Sequence, residues 1–361
     1  MSMSYKFDLT PSIVRNLQTI ERVRETVRLT VLPPKVAEVL RIQANIRSTH
    51  YSTLIEGNRL TLDETEQAVQ RGGQFPGRER DVLEVEHYYQ ALQHMDNWVE
   101  GGQKITEERI RKIHALLYAG RRARPTPYRD GQNVIREDGG EIVYMPPEAG
   151  DVPGMMKELV TWIHKQSLEM PIPVVAGVAH YQFETIHPFF DGNGRTGRML
   201  TTWILHQSGY DLGKFYSLEE FYAQDLESYY EALVTDPHHN YYFGRHEADI
   251  TSWLDYFLKG MAVVFERVAE QLRGEMIEKE YDQKAIELLR SLDHRARRVL
   301  GLFTTQELIK SSEAANLLGI SDRQTRDLIS GWVEDGWLIV ADPSRKGRKY
   351  QLAEEYRALL A

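Results

Sequence analysis

The spacing of apolar residues along the chain predicts a protein built mainly from α-helices. Over residues 12–30 the apolar side chains, from Ile13 to Val27, recur every three or four positions, which is the period of one buried helix face. The same period and the capping signals at helix ends predict further helices over residues 35–56, 61–71, 80–98, 105–119, 153–167, 173–186, 195–207, 217–234 and 247–278.

One central stretch interrupts this helical pattern. Residues 121–153 are rich in Gly, Pro, Asp and Arg, and within them two short β-prone runs, 133–136 and 141–145, flank the turn at 137–140. Two such runs around a turn that contains glycine predict a β-hairpin.

Residues 281–361, which we call the C-terminal module, show another order of elements. The sequence predicts three helices and then a two-stranded hairpin, over residues 284–300, 311–318, 321–334, 337–340 and 350–352. This order is typical of a winged helix-turn-helix, whose second helix of the turn reads DNA bases in many proteins. Four basic residues lie in the hairpin loop, where they would face phosphates: Arg345, Lys346, Arg348 and Lys349.

Charge and length refine this picture. The 361 residues include 44 Lys and Arg against 53 Asp and Glu, a net charge of −9, whereas residues 284–361 hold 13 against 11, a net charge of +2. The balance argues against a protein that coats DNA or anionic membrane with its whole surface, and leaves room for a local basic patch. At roughly 150 residues per domain, we expect two or three domains, with boundaries at 1–79, 80–280 and 281–361.

The chain contains no cysteine. Disulfides, thiolate zinc sites and cysteine nucleophiles are therefore excluded, and the composition fits a reducing compartment. We expect a cytoplasmic protein without a signal peptide, because residues 1–10 lack a basic segment followed by an apolar one. No apolar run approaches the roughly 18 residues that a membrane span needs.

The most informative stretch is residues 187–198, HPFFDGNGRTGR. Gly192, Gly194 and Gly197 match the spacing of a dinucleotide-binding fingerprint, but that fingerprint must follow a strand, and residues 173–186 are predicted to be helical. Gly192 and Gly194 instead allow the backbone to approach a ligand closely. With Asn193 adding an amide donor, the successive N–H groups at the start of a helix predict a nest for anions.

The charged residues around this nest complete a set of chemical groups. Arg195 and Arg198 lie three positions apart, so both guanidinium groups can face one side of the helix and hold phosphates. Asp191 offers a carboxylate that suits Mg²⁺ on phosphate oxygens. His187 lies at a helix end before a proline and is a suitable general base for a hydroxyl nucleophile.

This stretch resembles the active-site motif of the Fic (Fido) family, His-Pro-Phe-x-Asp/Glu-Gly-Asn-Gly-Arg-x-x-Arg, at every specified position. The similarity covers roughly residues 80–260, including the hairpin, which resembles the flap of that family. It implies a Fic-type helical bundle that transfers AMP from ATP to a hydroxyl group of a target protein. Phosphorylating members carry Lys at the position of Gly194, so this chain is expected to transfer a nucleotide instead.

The resemblance also implies a role for each residue of the motif. His187 would deprotonate the target hydroxyl, and Asp191 would hold Mg²⁺ or Mn²⁺. Residues 192–194 would form the anion hole, and Arg195 and Arg198 would hold the phosphates. In the same family a tyrosine pair often contacts adenine, which makes Tyr230 a candidate for stacking on the base, with core packing as the alternative.

Two further segments resemble regulatory or docking elements of the family. The hairpin edge at 133–145 could pair with an extended target peptide by β-augmentation. The stretch from Ser52 to Gly57 resembles the inhibitory motif Ser/Thr-x-x-x-Glu-Gly/Asn, at the end of a predicted inhibitory helix over about 35–57. On this interpretation Glu56 pairs with Arg198 and prevents it from binding the γ-phosphate.

Three alternatives stay open from the sequence. The same pocket could remove AMP from a modified protein by phosphodiester cleavage, or the protein could be a DNA-binding regulator, contacting DNA through residues 311–350, whose pocket only senses ATP. The C-terminal module could also serve as a surface for docking proteins. The oligomeric state is open as well, a homodimer included.

Overall fold

A computed structural model describes residues 5–120, 124–136, 140, 142–278, 287–289, 291–318, 320–344 and 348–360. The fold is mainly helical, as the apolar spacing predicts. Several positions named above lie outside the described residues: 137–139 and 141 of the hairpin turn, the boundary near 281, and Arg345 and Lys346 of the basic loop.

Eleven described helices precede residue 279, and their bounds follow the predictions closely. They are Pro11–Leu29 (α1), Pro34–Leu54 (α2), Leu62–Arg71 (α3), Glu79–Glu100 (α4), Glu107–Ala119 (α5), Val152–Gln166 (α6), Ile172–Ile186 (α7), Asn193–Gln207 (α8), Leu218–Gln224 (α9), Leu226–Leu233 (α10) and Thr251–Glu278 (α11). The hairpin is present as Ile135–Arg136 (β1) and Ile142–Tyr144 (β2), which pair in antiparallel fashion.

Helices α7 and α8 form the centre of the bundle and carry the 187–198 loop between them. Nearly every side chain of α7 is buried, and Trp203 of α8 and Trp253 of α11 are fully buried beside it. The first helix lies along α11, and its Ile13 and Ile20 belong to the same apolar core as Phe265. The two central helices are thus held on all sides, which fixes the loop that joins them.

Two predicted helices are interrupted in the structure. The segment 217–234 is not one helix, because Asp225 leaves helical geometry and its carboxylate accepts a hydrogen bond from the Ser228 amide, 3.1 Å long, at the start of α10. The helix predicted over 284–300 is likewise broken at Asp293, which caps His294–Leu300 (α12). In both cases an aspartate side chain competes for backbone amides, while the apolar spacing continues past the break.

The C-terminal module contains a three-stranded sheet beside its helices. Its further elements are Ile309–Lys310 (β3), Ser311–Leu318 (α13), Asp322–Glu334 (α14), Leu338–Asp342 (β4), Lys349–Leu352 (β5) and Glu354–Arg357 (α15). The sheet order is β3-β5-β4, and the two-residue strand β3 was not predicted from the sequence. This order is compatible with the predicted winged helix-turn-helix.

The module packs against α2. Val31, just before α2, belongs to the apolar core of the module, and Arg298 of α12 lies 3.4 Å from the Glu100 carboxylate at the end of α4. Within the described residues, no helix combines the length and the apolar character that crossing a bilayer requires.

Candidate active site

His187 ends helix α7 in a left-handed conformation, with φ 51° and ψ 60°. A histidine there is uncommon and needs support from its surroundings. Arg129 supplies it: its Nε donates to the His187 carbonyl at 2.9 Å, and its amide donates to the Pro188 carbonyl at 2.9 Å. This buried arginine therefore fixes the backbone from which the imidazole projects.

The imidazole of His187 is half-buried, and burial lowers its pKa to about 4. The ring is therefore neutral near pH 7 and can accept a proton. Its Nδ1 is buried without a hydrogen-bond partner of good geometry among the described residues. We infer that Nε2 is the nitrogen that serves a substrate.

The side chain of Asn193 does not offer the free amide donor that the sequence analysis expects. Its Oδ1 accepts from the Phe189 amide and its Nδ2 donates to the Phe189 carbonyl, both at 2.9 Å. Asn193 therefore fixes the conformation of the loop. The group that it offers to an anion is its backbone N–H in the first turn of α8, which has no partner within the helix.

Gly192 and Gly194 shape the nest at the start of α8. Gly192 caps the helix in a left-handed conformation, with φ 74°. A Cβ at Gly194 would collide with the Glu56 carboxylate, because that carboxylate lies against the first turn of the helix. The carboxylate thus sits at the positive end of the α8 dipole, where a phosphate would be stabilised.

Asp191 is exposed beside this nest. Partial desolvation of the Asp191 carboxyl opposes its ionisation. Hydrogen bonds from the Tyr118 hydroxyl and the Gly192 amide outweigh this effect and lower the pKa of Asp191. The backbone carbonyl of Asp191 is held by His114 Nε2 at 2.9 Å, and His114 Nδ1 contacts the Thr126 hydroxyl. The loop thus presents an ionised, exposed carboxylate on a fixed backbone beside the start of α8.

This donor set fits Mg²⁺, which commonly takes one or two protein carboxylates and completes its shell with water and substrate phosphates. The described residues contain no group of three or more His, Cys, Asp or Glu side chains placed to bind a metal by themselves. A site that depends on the phosphates of a bound nucleotide agrees with that finding.

Arg198 is 2% exposed and is bonded to α2 and to the turn that follows it, residues 55–58, which we call the α2 turn. Its Nη2 lies 2.8 Å from Glu56 Oε1, as the sequence motif predicts. Its Nε donates to Ser52 Oγ and its Nη2 donates to the Ser52 carbonyl, each at 2.9 Å. Although burial opposes it, the Glu56 carboxylate raises the pKa of Arg198.

Arg195 differs from the prediction of a free phosphate clamp. Its Nη1 forms an ion pair with Glu84 of α4, and its Nη2 donates to the Tyr118 hydroxyl at 2.9 Å. Its side chain is 8% exposed. The structure therefore places Arg195 beside the nest but with both ends of its guanidinium already bonded to protein.

Tyr229 and Tyr230 have different environments. Tyr229 is buried, and its hydroxyl contacts His180 Nε2 at 2.9 Å, so it belongs to the core. Tyr230 is 48% exposed, and burial of its hydroxyl raises the pKa of Tyr230 to about 12, with the Glu56 and Arg198 charges nearby. Tyr230 thus keeps a neutral ring at the pocket that could stack on a base.

Several residues of the site were not predicted from the sequence. Glu184 lies one turn before His187 with a carboxyl oxygen against Gly197, and burial raises its pKa to about 8. The other missed residues are Arg129, His114, Tyr118, Glu84 and Asn58. Together with Glu184 they come from five segments of chain, so no local spacing connects them. The one usable signal was the buried helix around Glu184, where a carboxyl is costly.

Comparison with known proteins agrees with this geometry. Residues 104–205 match the sequence model of the Fic/DOC family. The chain is 29% identical over 206 residues to a protein named protein adenylyltransferase Fic from Nematostella vectensis, which covers 53% of this chain and 43% of the relative. A protein of the same name from Drosophila erecta is 26% identical over 206 residues, 54% of this chain and 39% of the relative. The chain thus spans about two fifths of the length of these relatives.

Solved structures share the fold over a larger part of the chain. A Fic family protein from Desulfovibrio desulfuricans matches 97% of this chain and 98% of its own with a TM-score of 0.60 at 24% identity. Fic-1 from C. elegans matches 74% of this chain and 73% of its own with a TM-score of 0.57 at 22% identity. The motif, the loop geometry and the matched residues therefore agree that residues 104–205 of this chain are similar to the Fic/DOC family.

Proposed function

We propose that this protein transfers AMP from ATP to a hydroxyl group of a target protein. The observation that carries the proposal is a single loop that begins at the neutral imidazole of His187, carries the Asp191 carboxylate and ends at the anion nest of α8. The names of the relatives, protein adenylyltransferase Fic, support the same activity.

Each step has a residue suited to it. His187 Nε2 would take the proton of the target hydroxyl as that oxygen attacks the α-phosphorus and pyrophosphate leaves. The backbone amides of residues 193–195 and a freed Arg198 would hold the phosphate oxygens. Asp191 would hold Mg²⁺, which would supply positive charge against the charge of the phosphates.

The hairpin supports docking of the target next to His187. The side-chain amide of Asn133, at the start of the hairpin, donates to the carbonyls of Phe189 and Phe190 at 3.3 and 3.2 Å. Strand β1 is therefore tied to the loop that carries the general base. A target segment paired with this edge would bring its hydroxyl to the pocket through backbone contacts.

We propose further that the pocket is autoinhibited by Glu56. Its carboxylate pairs with Arg198 and lies on the first turn of α8. A γ-phosphate would meet a like charge there and would find Arg198 already bonded, so ATP would bind in a pose unfit for in-line attack.

Labelled ATP tests the transfer itself. The protein incubated with Mg²⁺ and ATP labelled at the α-phosphate is expected to yield labelled protein, whereas ATP labelled at the γ-phosphate is expected to leave none. Retention of the γ-label would indicate a kinase, and retention of neither, even after substitution of Glu56, would refute nucleotidyl transfer.

Asp191→Ala is expected to reduce Mg²⁺-dependent transfer by about 100-fold or more, because the pocket loses its charged metal ligand. The fold should survive, since the carboxylate is exposed. Rates measured against Mg²⁺ concentration check this, with Asp130→Ala as the matched control on a neighbouring loop. Full activity of Asp191→Ala at low Mg²⁺ would remove the metal-ligand role.

Removal of AMP from a modified protein is a second candidate, favoured by one observation. The Glu56 carboxylate faces the nest at Gly194, where it could orient a water molecule for attack on a phosphodiester. In that case Glu56→Gly would lose the hydrolytic activity, the opposite of its expected effect on transfer.

DNA binding by the C-terminal module is a third candidate. Asp322, Arg323, Gln324 and Arg326 of α14 are exposed, while Ile329 and Trp332 face its core. The exposed face is thus free to contact a groove, although it carries both signs of charge, and a regulator that senses ATP would use it together with the pocket.

Loss of the basic charges in the hairpin loop is expected to weaken DNA binding and to make it less dependent on salt. With fewer phosphate contacts, fewer counterions are released when DNA binds. The variant replaces Arg345, Lys346, Arg348 and Lys349 with neutral residues. Fluorescence anisotropy with a short duplex at several salt concentrations measures both. A wild-type protein that binds no DNA at low salt would leave docking of proteins as the function of the module.

A further inference from the structure

Asn58 connects the α2 turn to helix α4. It is 4% exposed, and its Nδ2 donates to Glu84 Oε2 at 2.8 Å and to the Asp81 carbonyl at 3.0 Å. Its Oδ1 accepts from the Leu60 amide at 3.1 Å. All polar atoms of this side chain are therefore used, and two of the bonds tie the turn that carries Glu56 to α4.

Glu84 divides its two carboxylate oxygens between different partners. Oε2 accepts from Asn58, and Oε1 forms the ion pair with Arg195 Nη1. The side chains of Glu84 and Arg195 are 18% and 8% exposed. Removing one partner of such a buried pair leaves an uncompensated charge, which is strongly unfavourable, so Arg195 is expected to keep Glu84 whichever position the α2 turn takes.

The two arginines of the pocket are thus restrained from one turn of chain. Glu56 bonds Arg198 directly, and Asn58, two residues further on, bonds the carboxylate that holds Arg195. Only Gly57 separates Glu56 from Asn58 in the chain. A movement of the turn that takes Glu56 away from Arg198 is therefore expected to strain or break the bond between Asn58 and Glu84.

We propose that Glu84 is a positioning residue that holds Arg195 for the nucleotide with one oxygen and anchors the α2 turn with the other. Release of Arg198 and the final placement of Arg195 are then coupled through a single carboxylate. The proposal rests on the proposed function, since it concerns the same nucleotide pocket, but the bonds of Asn58 and Glu84 are present without nucleotide and can be tested in its absence.

Asn58→Asp is the sharpest test of the anchor. It keeps the size of the side chain and the acceptor for Leu60, but places an oxygen where Nδ2 faced the Glu84 carboxylate, so the two groups repel. All variants carry His187→Ala to prevent turnover. Calorimetric titration with ATP and Mg²⁺ is expected to show about tenfold tighter binding for Asn58→Asp than for its parent, approaching Glu56→Gly.

Glu84→Gln in the Glu56→Gly background tests the positioning of Arg195, because Glu56 no longer contributes. The expected result is about tenfold weaker ATP binding, since the neutral amide loses the charge that orients the guanidinium. Glu86→Gln is the matched control: it lies on the same helix but on another face, and should bind ATP as its parent does.

Hydrogen exchange of nucleotide-free protein separates this proposal from the proposed function. Amides of residues 52–60 are expected to exchange faster in Asn58→Asp and Glu84→Gln than in Glu86→Gln. Unchanged exchange and unchanged ATP affinity in Asn58→Asp would overturn the anchor, and equal affinity with and without Glu84→Gln would overturn the positioning role. Absence of ATP binding in Glu56→Gly would instead refute the proposed function, while the exchange rates still decide the anchor.

Discussion

Replacing His187 with alanine is expected to lower AMP transfer by about 10²–10⁴-fold, the range that a general base contributes. The imidazole is the neutral group on the loop that leads to the α8 nest, and burial lowers its pKa to about 4. Nδ1 is buried in the protein, so Nε2 is the nitrogen whose role as proton acceptor the substitution removes. Initial rates of label transfer from α-labelled ATP to protein, in the Glu56→Gly background, measure the effect.

The control for this variant is His164→Ala. His164 is also half-buried, and its Nε2 contacts the Ile105 carbonyl at 2.8 Å, away from the pocket. Its activity should stay at the parent level. ATP binding should survive in His187→Ala, because the imidazole acts on the target hydroxyl. A His187→Ala protein that transfers AMP at the parent rate would show that another group is the base.

Replacing Glu56 with glycine is expected to raise self-modification or target modification at least about tenfold, the factor that ~1.4 kcal/mol gives in rate. The change removes the carboxylate that lies on the nest and pairs with Arg198, while the bonds of Arg198 to Ser52 remain. Arg198 can then turn to the γ-phosphate and align ATP for attack. Label transfer from α-labelled ATP measures the gain.

A general loosening of α2 could also raise activity, and Glu38→Gly separates the two causes. Glu38 is exposed on the same helix, and glycine there costs about 1 kcal/mol of helix stability without touching Arg198. It should leave transfer at the wild-type level. Equal labelling by wild type and Glu56→Gly would reject autoinhibition and leave the transferase proposal standing, and Glu56→Gly combined with His187→Ala should show no labelling.

The local features of the active site could be predicted from sequence. A run of apolar residues at helical spacing, then His187-Pro188, then glycines and charged residues, indicates a helix end followed by an anion-binding turn, because proline and glycine restrict or free the backbone locally. The structure has this arrangement. The pair between Glu56 and Arg198, 142 residues apart, was also predicted, but only because a short motif resembled a known one.

The partners of the polar side chains could not be predicted. Asn193 and Arg195 were expected to contact phosphate, yet Asn193 bonds the Phe189 backbone and Arg195 bonds Glu84 and Tyr118. Both residues stand beside the nest as expected. What differs is the partner of each side chain. The partners of Arg195 belong to α4 and α5, which come close to α8 only in the folded protein.

The sequence by itself determined the mainly helical architecture, the hairpin and the loop of residues 187–198, because periodicity, caps and turn residues act over a few neighbouring positions. Only the tertiary structure decided how Arg129 supports His187, how Tyr118 and His114 hold Asp191, and how the α2 turn restrains Arg198 and, through Glu84, Arg195. A buried polar group must find a partner when water is removed. Which partner it finds depends on packing between segments that are distant in the sequence, so the spacing of residues along the chain does not predict it.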